Sequence, residues 1–427
     1  MTVGENGRLC FAGVDTATLA AKYGTPLYLY DTDLIRRRCR LYQDEMRAAF
    51  GGDSRPLYAG KAFCTKAIYR LMDECGMSVD LVSPGEIATA KAAGFPLERA
   101  FFHGNNKTDA DIAFALDAGV GTFVSDSREE LEALDKIAGE RGKRQKILLR
   151  VTPGIDPHTF AAVTTGKVDS KFGCPIVTGA AMDLAKRALA LPHLELCGFH
   201  CHIGSQIFET APFLDALDVM LDFIDAVKEK TGYVAGVLNL GGGFGVRYTE
   251  SDPVFDYAGA IRELGGAFRA GCAKRGLPLP TVLLEPGRSI VADAGMTLYT
   301  VGTVKEIPGF RTYVSVDGGM PDNPRYALYR SVYTVVNATH ADRIPDAAVT
   351  VAGRCCESGD LIAEGARIAL PERGDLLAVL VTGAYNYSMA SNYNRIPRPP
   401  VVFLEGGKDR LAVRRESYKD LIRLDEE

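Results

Sequence analysis

A chain of 427 residues with 47% hydrophobic and 24% charged residues reads as a globular protein with a large core and more than one domain. A formal net charge of -5, with no Lys/Arg run longer than Arg36-Arg37-Arg38, argues against nucleic acid and anionic membrane as partners. No apolar run approaches the roughly 18 residues of a membrane span, no basic patch precedes an apolar stretch at the N-terminus, and the ten cysteines form no CxxC pair, so the expectation is a cytoplasmic protein with mostly buried, reduced thiols and no metal site.

In chain order, the first element is the apolar run Leu27-Tyr28-Leu29-Tyr30, expected to add a strand from an N-terminal segment, 1–35, to a later β domain. From 36 to 293 short β-rich runs alternate with helical stretches. The expected strands are Pro56–Ala59, Val79–Val82, Ala100–His103, Gly121–Ser125, Lys146–Val151, Leu196–Cys201, Val237–Leu240 and Thr281–Leu284. Ser83-Pro84-Gly85-Glu86 has the pattern of a capping box with proline at the first helical position, and Phe213, Leu217, Met220, Leu221, Ile224 and Val227 mark one apolar helix stripe. Eight βα units predict a (β/α)8 TIM barrel, with an open doubly wound sheet as the alternative. Beyond 294 the helical rhythm stops, and Thr297–Val304, Tyr313–Val316, Val332–Val336, Ala348–Ala352, Leu376–Val381, Val401–Leu404 and Leu411–Val413 read as strands of a C-terminal β domain, 294–427.

A barrel collects its chemistry at the C-terminal ends of its strands, and the reactive residue types fall there. Lys61 follows the first strand, where a lysine can form a Schiff base. His103-Gly104-Asn105-Asn106 ends the third. His200 and His202 end the sixth, as a possible metal pair or as an imidazole that stacks on a flat ring. Gly241, Gly242 and Gly243 follow the seventh, where backbone N–H groups free of Cβ can cradle a phosphate, with Ser205 and Tyr385 as possible hydroxyl donors. Glu285 ends the eighth, next to Arg288, and is suited either to an ion pair with that arginine or to a pyridinium nitrogen. A strand-end lysine, a phosphate cradle, a stacking imidazole and an acid for a pyridinium together describe a pyridoxal 5'-phosphate site.

At these residues the sequence resembles the diaminopimelate decarboxylase family, fold-type III pyridoxal-phosphate enzymes with an alanine racemase-like barrel and β domain. The resemblance spans nearly the whole chain. It is carried by Tyr58-Ala59-Gly60-Lys61-Ala62-Phe63, Asp80-Leu81-Val82-Ser83-Pro84-Gly85-Glu86, His103-Gly104-Asn105-Asn106-Lys107, Ser170-Lys171-Phe172-Gly173, His200-Cys201-His202-Ile203-Gly204-Ser205, Glu285-Pro286-Gly287-Arg288, Cys356-Glu357-Ser358-Gly359-Asp360 and Ser388-Met389-Ala390-Ser391-Asn392-Tyr393-Asn394. It implies decarboxylation of meso-2,6-diaminopimelate to L-lysine and carbon dioxide, the last step of lysine biosynthesis. A decarboxylase of ornithine, lysine or arginine on the same fold is the nearest alternative, and a non-catalytic regulatory homologue the more distant one.

Carried over by motif, the resemblance implies Lys61 as the cofactor lysine, His200 on the ring and Glu285 on its nitrogen, with Ser205, Gly243 and Tyr385 on the phosphate. Arg288, Arg325 and Tyr329 would bind substrate. Cys356, as proton donor, and Glu357, toward a substrate amine, would enter from the other subunit of a head-to-tail homodimer. Two positions depart from the family pattern. Asn386 stands where glycine is usual; asparagine tolerates a left-handed backbone, so the loop can be kept while the position of Tyr385 is less fixed, and Gly60 replaces Val or Ser and is expected to loosen the strand before Lys61.

Overall fold

The computed structural model describes residues 1–156 and 169–426. The chain divides into two compact units, one of Arg38–Val246 with Val254–Ser289, the other of Met1–Arg37, Arg247–Pro253 and Ile290–Glu427.

In the first unit the parallel strands Arg55–Ala59, Ser78–Leu81, Ala100–Phe102, Thr122–Ser125, Gln145–Thr152, Leu194–His200, Val237–Asn239 and Thr281–Leu284 pair in chain order. The last pairs back onto the first, Leu283 opposite Arg55, so the sheet closes and the open doubly wound alternative is rejected. Helices follow the strands. Pro84–Ala93 is capped by Ser83, whose hydroxyl accepts from Glu86 N at 3.2 Å. The expected reciprocal half of that capping box is displaced by one residue: Glu86 Oε2 accepts from Val82 N, at 2.9 Å, instead of from Ser83. Ala211–Thr231 buries the expected stripe, including Phe213, Leu217, Met220, Leu221, Ile224 and Val227.

Side chains alternate faces along a strand, and this period of two arranges the barrel interior. Its floor is an apolar cluster of Leu57, Phe101, Val124, Leu148 and Leu283, with Cys197 and Val237 packed against it. Two residues further along the same strands stand Ala59, His103, Asp126, Arg150, Asn239 and Glu285. The interior thus passes from apolar to charged in one step toward the C-terminal ends, where strand two adds Asp80.

The second unit is a mixed sheet. Leu27–Asp31 lies inside it, antiparallel to Gly295–Ile307 on one side and parallel to Val401–Glu405 on the other. Leu27, Leu29, Met296, Leu298, Ala378, Val402 and Leu404 form its core. Leu361–Ile368 was not expected as a strand. It pairs only with Ala347–Ala352, through a register shift, carries Gly365 at φ +65, and presents a mainly polar outer face, so its sequence lacks strict alternation. The strand expected at Val332–Val336 is shorter and later, Val335–Asn337, and a small antiparallel meander of Thr2–Val3, Leu9–Phe11 and Val14–Asp15 was also unforeseen. All ten cysteines are free thiols, but only Cys39, Cys201 and Cys272 are buried, fewer than expected. Among the described residues no helix is long and apolar enough to cross a membrane.

Candidate active site

Glu285 is the hub of the barrel mouth. Its Oε2 lies 3.2 Å from His200 Nε2, and its Oε1 accepts from Asn239 Nδ2 at 2.7 Å and lies 3.1 Å from His103 Nε2. The His103 and His200 rings meet edge to face with centroids 5.0 Å apart. Burial works to raise the Glu285 pKa, but the two imidazoles and their hydrogen bonds outweigh it and hold the carboxyl well below the usual range. Burial pushes His200 down to about 4 against the pull of Glu285, so His200 is a neutral imidazole near pH 7. An ionised Glu285 can only accept, which puts the His200 proton on Nε2. The alternative reading of Glu285, an ion pair with Arg288, gives way to two imidazoles and an amide.

The possible metal pair of His200 with His202 does not form. His202 has left the strand, and its Nδ1 accepts from Gly242 N at 3.3 Å. The groups that do converge are His103, His200 and Glu285, whose ligand atoms all lie within 4.8 Å of one another. Both oxygens of Glu285 are already engaged there by Asn239 and the two histidines.

Beside this hub, the loop after strand six and the glycine loop after strand seven are zipped together. Ile207 N donates to Gly243 O at 3.0 Å and Gly245 N to Ile207 O at 2.8 Å, while the Gln206 carboxamide clasps Val246 through both its N–H and C=O. The approach is close enough to require glycine. A Cβ on Gly241, at φ +69, would lie 2.6 Å from Cys201 O, and one on Gly243, at φ +117, would collide with Gly204 O. Gly242 is similarly pressed on Glu285 O. Ser205 sits at this junction and accepts from Arg288 Nη2 at 3.1 Å. Arg288, expected on the substrate, thus has its guanidinium against the expected phosphate serine.

Lys61 lies in the 3-10 turn Gly60–Ala62 immediately after strand one and is half-buried. Gly60 belongs to that turn and is itself buried, so it does not loosen the strand, which already ends at Ala59.

Lys107, quoted in the His103 motif without a role, anchors the rim. Its buried ammonium donates to Gly104 O at 3.0 Å, Val124 O at 2.8 Å and Glu130 Oε1 at 2.9 Å. This ties the loop that starts at His103 to strand four and to the helix after it. Lys107→Met leaves Glu130 buried and unpaired, and is expected to lower the unfolding free energy by about 3–5 kcal/mol. Chemical denaturation checks this; Lys107→Met/Glu130→Leu should recover most of the loss.

In the second unit Arg325, Tyr329 and Tyr385 come together. The Arg325 guanidinium stands 5.6 Å from the Tyr329 ring centroid and 5.7 Å from that of Tyr385. At the departure from the family pattern, Tyr385 takes the left-handed backbone at φ +60, while Asn386 has φ -109. Asn386 is fully buried, and its Nδ2 donates to Thr382 O at 3.0 Å, a hydrogen bond that glycine could not supply. Cys356 and Glu357 are exposed on a turn, where Cys356 N donates to Asn394 Oδ1 at 2.8 Å.

Four polar residues of the mouth, Asp80, Asp126, Arg150 and Asn239, were not foreseen as site residues. Each is buried. Arg150 lies 3.8 Å from Asp126 and 4.3 Å from the Phe172 ring centroid. Burial raises the Asp80 pKa, countered chiefly by His103. The available signal was a single charged or amide residue near the end of an otherwise apolar strand, as in Ile147-Leu148-Leu149-Arg150.

A family model described as pyridoxal-dependent decarboxylase, pyridoxal binding domain, matches residues 32–292. The chain is 46% identical over 421 residues to the diaminopimelate decarboxylase of Bacillus subtilis, covering 99% of this chain and 96% of that one. With the enzyme of the same name from Mycobacterium tuberculosis it shares 42% over 431 residues, 99% of this chain and 95% of the other. Among solved structures it is similar to diaminopimelate decarboxylase from M. jannaschii in co-complex with L-lysine, with TM-score 0.90, 34% identity, and coverage of 99% and 96% of the two chains.

Proposed function

The chain belongs to the diaminopimelate decarboxylases, within the pyridoxal-dependent decarboxylases, and from that premise we propose how its residues divide the work of converting meso-2,6-diaminopimelate to L-lysine and carbon dioxide. It is a carboxy-lyase, and its cofactor is pyridoxal 5'-phosphate.

The residues fit that cofactor. Asp80 Oδ1 and His200 Nδ1 are buried without a hydrogen-bond partner, and Glu285 is a buried carboxylate beside them. Such atoms call for a polar, flat group with a cationic edge. The chemistry the bound cofactor supplies is an electron sink for the bond broken at the substrate Cα.

Lys61 Nζ would hold the cofactor covalently, as an amine at the mouth of the barrel. Glu285 would favour a proton on the ring nitrogen, and His200, neutral and fixed by its bond to Glu285, would pack against the ring. The N–H groups of Gly241, Gly242 and Gly243, with Ser205 and Tyr385, would hold the phosphate, and Arg288 would add a positive charge beside Ser205. Substrate choice rests on the far end of the molecule. Arg288, Arg325 and Tyr329 receive its carboxylate and Glu357 its ammonium, while Cys356 returns a proton to Cα. Cys356 and Glu357 act across a head-to-tail homodimer, a role consistent with their exposure. Residues 36–293 are the cofactor-binding domain; 1–35 and 294–427 make the β domain. The enzyme works in the cytoplasm, as ten cysteines in the thiol form suit a reducing compartment.

The observation that carries this reading is the ionised Glu285, held by two imidazoles and an amide at the mouth of a barrel that closely matches the relatives. Purified protein offered meso-diaminopimelate, lysine, ornithine and arginine separately is expected to release carbon dioxide fastest from the first. The other three offer no second carboxylate to the arginines, at a cost of roughly 10⁴-fold where a buried polar partner is missing. Faster release from any of them overturns the substrate assignment.

A further inference from the structure

Behind the turn that carries Lys61 is a buried polar cluster that no step above uses. Tyr69, on helix Lys66–Glu74, is fully buried, and its hydroxyl donates to Cys64 Sγ at 3.4 Å. The same oxygen lies 2.5 Å from where a Cβ on Gly60 would stand. Asp80 O at 2.9 Å and Glu86 Oε2 at 3.4 Å complete the surroundings of that point. Glu86 is itself fixed, since its Oε2 accepts from Val82 N. Gly60 has an ordinary negative φ, so its need for glycine comes from space alone.

We propose that Tyr69 is a positioning residue for Lys61: its hydroxyl fills the place of the missing side chain at Gly60 and so fixes the turn from which Lys61 projects. The two residues form one unit. A side chain at position 60 and a hydroxyl at position 69 compete for the same volume, and packed interiors do not yield such volume freely. The competition is paid in the backbone of the Gly60–Ala62 turn, because strand one on one side and helix Lys66–Glu74 on the other are held by their own hydrogen bonds. A displacement there moves the Lys61 amine directly, whereas the apolar floor beneath is untouched.

The inference rests on Lys61 as the cofactor lysine, and the test separates the two. Wild type, Gly60→Ala, Tyr69→Phe and the double variant are loaded with pyridoxal 5'-phosphate and reduced with borohydride; the labelled peptide and the labelling rate are measured beside kcat and KM. Gly60→Ala is expected to lower labelling rate and kcat on the order of tenfold or more with KM little changed, the signature of a misplaced reacting group. In the Tyr69→Phe background the same substitution should cost several-fold less, because the nearest competing atom is gone and only Asp80 O, at 2.9 Å, still presses on the new Cβ. Equal costs in both backgrounds, or no cost with Tyr69 present, overturn the pairing. A label on a lysine other than Lys61 overturns the lysine assignment and this inference with it. If Gly60→Ala does not accumulate as folded protein, recovery of soluble, cofactor-loaded protein on adding Tyr69→Phe is the supporting result, and continued loss overturns it.

Discussion

Lys61→Ala is expected to abolish decarboxylation, by roughly 10³-fold or more, because no neighbouring group can take over a covalent role. The residue lies in a short turn with buried Gly60 and Ala62 on either side, so the chain offers no second lysine at that point. Of the nearby lysines, Lys66 is exposed and Lys107 is committed to Glu130 and two carbonyl oxygens. The fold should survive, since shortening Lys61 leaves the apolar floor intact. The measurement is a pair: carbon dioxide release from meso-diaminopimelate, and borohydride-fixed cofactor on the Lys61 peptide. An unchanged label in the variant would mean the cofactor is anchored elsewhere.

Glu285→Gln should retain the cofactor and lose about 10²–10³-fold in kcat, the usual scale for removing a preorganised electrostatic partner from a water-poor site. The substitution is nearly isosteric, but it replaces an acceptor-only group with one that also carries an N–H₂. Asn239 Nδ2 and His200 Nε2 both donate toward Glu285. The new amide must turn one nitrogen toward a donor or force an imidazole to change tautomer. Two effects therefore combine: loss of the charge that favours a protonated ring nitrogen, and a disturbed hydrogen-bond set under the ring. Steady-state kinetics with a parallel visible spectrum separate binding from turnover. A near-normal kcat would remove the electron-sink role from Glu285.

Most of the barrel was legible because its strands are short apolar runs at regular intervals, and all eight lie within two residues of their expected ends. The site was legible where residue type alone suggests chemistry, as for Lys61, His200, Glu285 and the glycine run. It was not legible where the role depends on which groups the closed sheet brings together. Nothing in the spacing of positions 103, 200, 239 and 285 says that their side chains meet, and that meeting decides that Glu285 faces imidazoles and an amide instead of Arg288. Asn386 is a similar case: the expectation treated it as a backbone substitute for glycine, whereas its buried carboxamide bonds to Thr382 O while Tyr385 carries the positive φ. Leu361–Ile368 went unseen because edge strands with a bulge and a polar face lack the alternation that marks interior ones.

The strand Leu27–Asp31 imposes an order on synthesis. It is made before either of its neighbours, Gly295–Ile307 and Val401–Glu405, which lie far downstream in the chain. Until both have been made, Leu27-Tyr28-Leu29-Tyr30, buried in the finished sheet, is an apolar segment with both edges open. The barrel strands between them pair mostly with near neighbours in the chain, although Arg55–Ala59 also waits for Thr281–Leu284 before the sheet closes. The nascent protein therefore carries an unpaired apolar segment until both of its partner strands are made, and chaperone occupancy on ribosome-bound chains should be raised near residues 27–31 and fall only after Val401–Glu405 emerges.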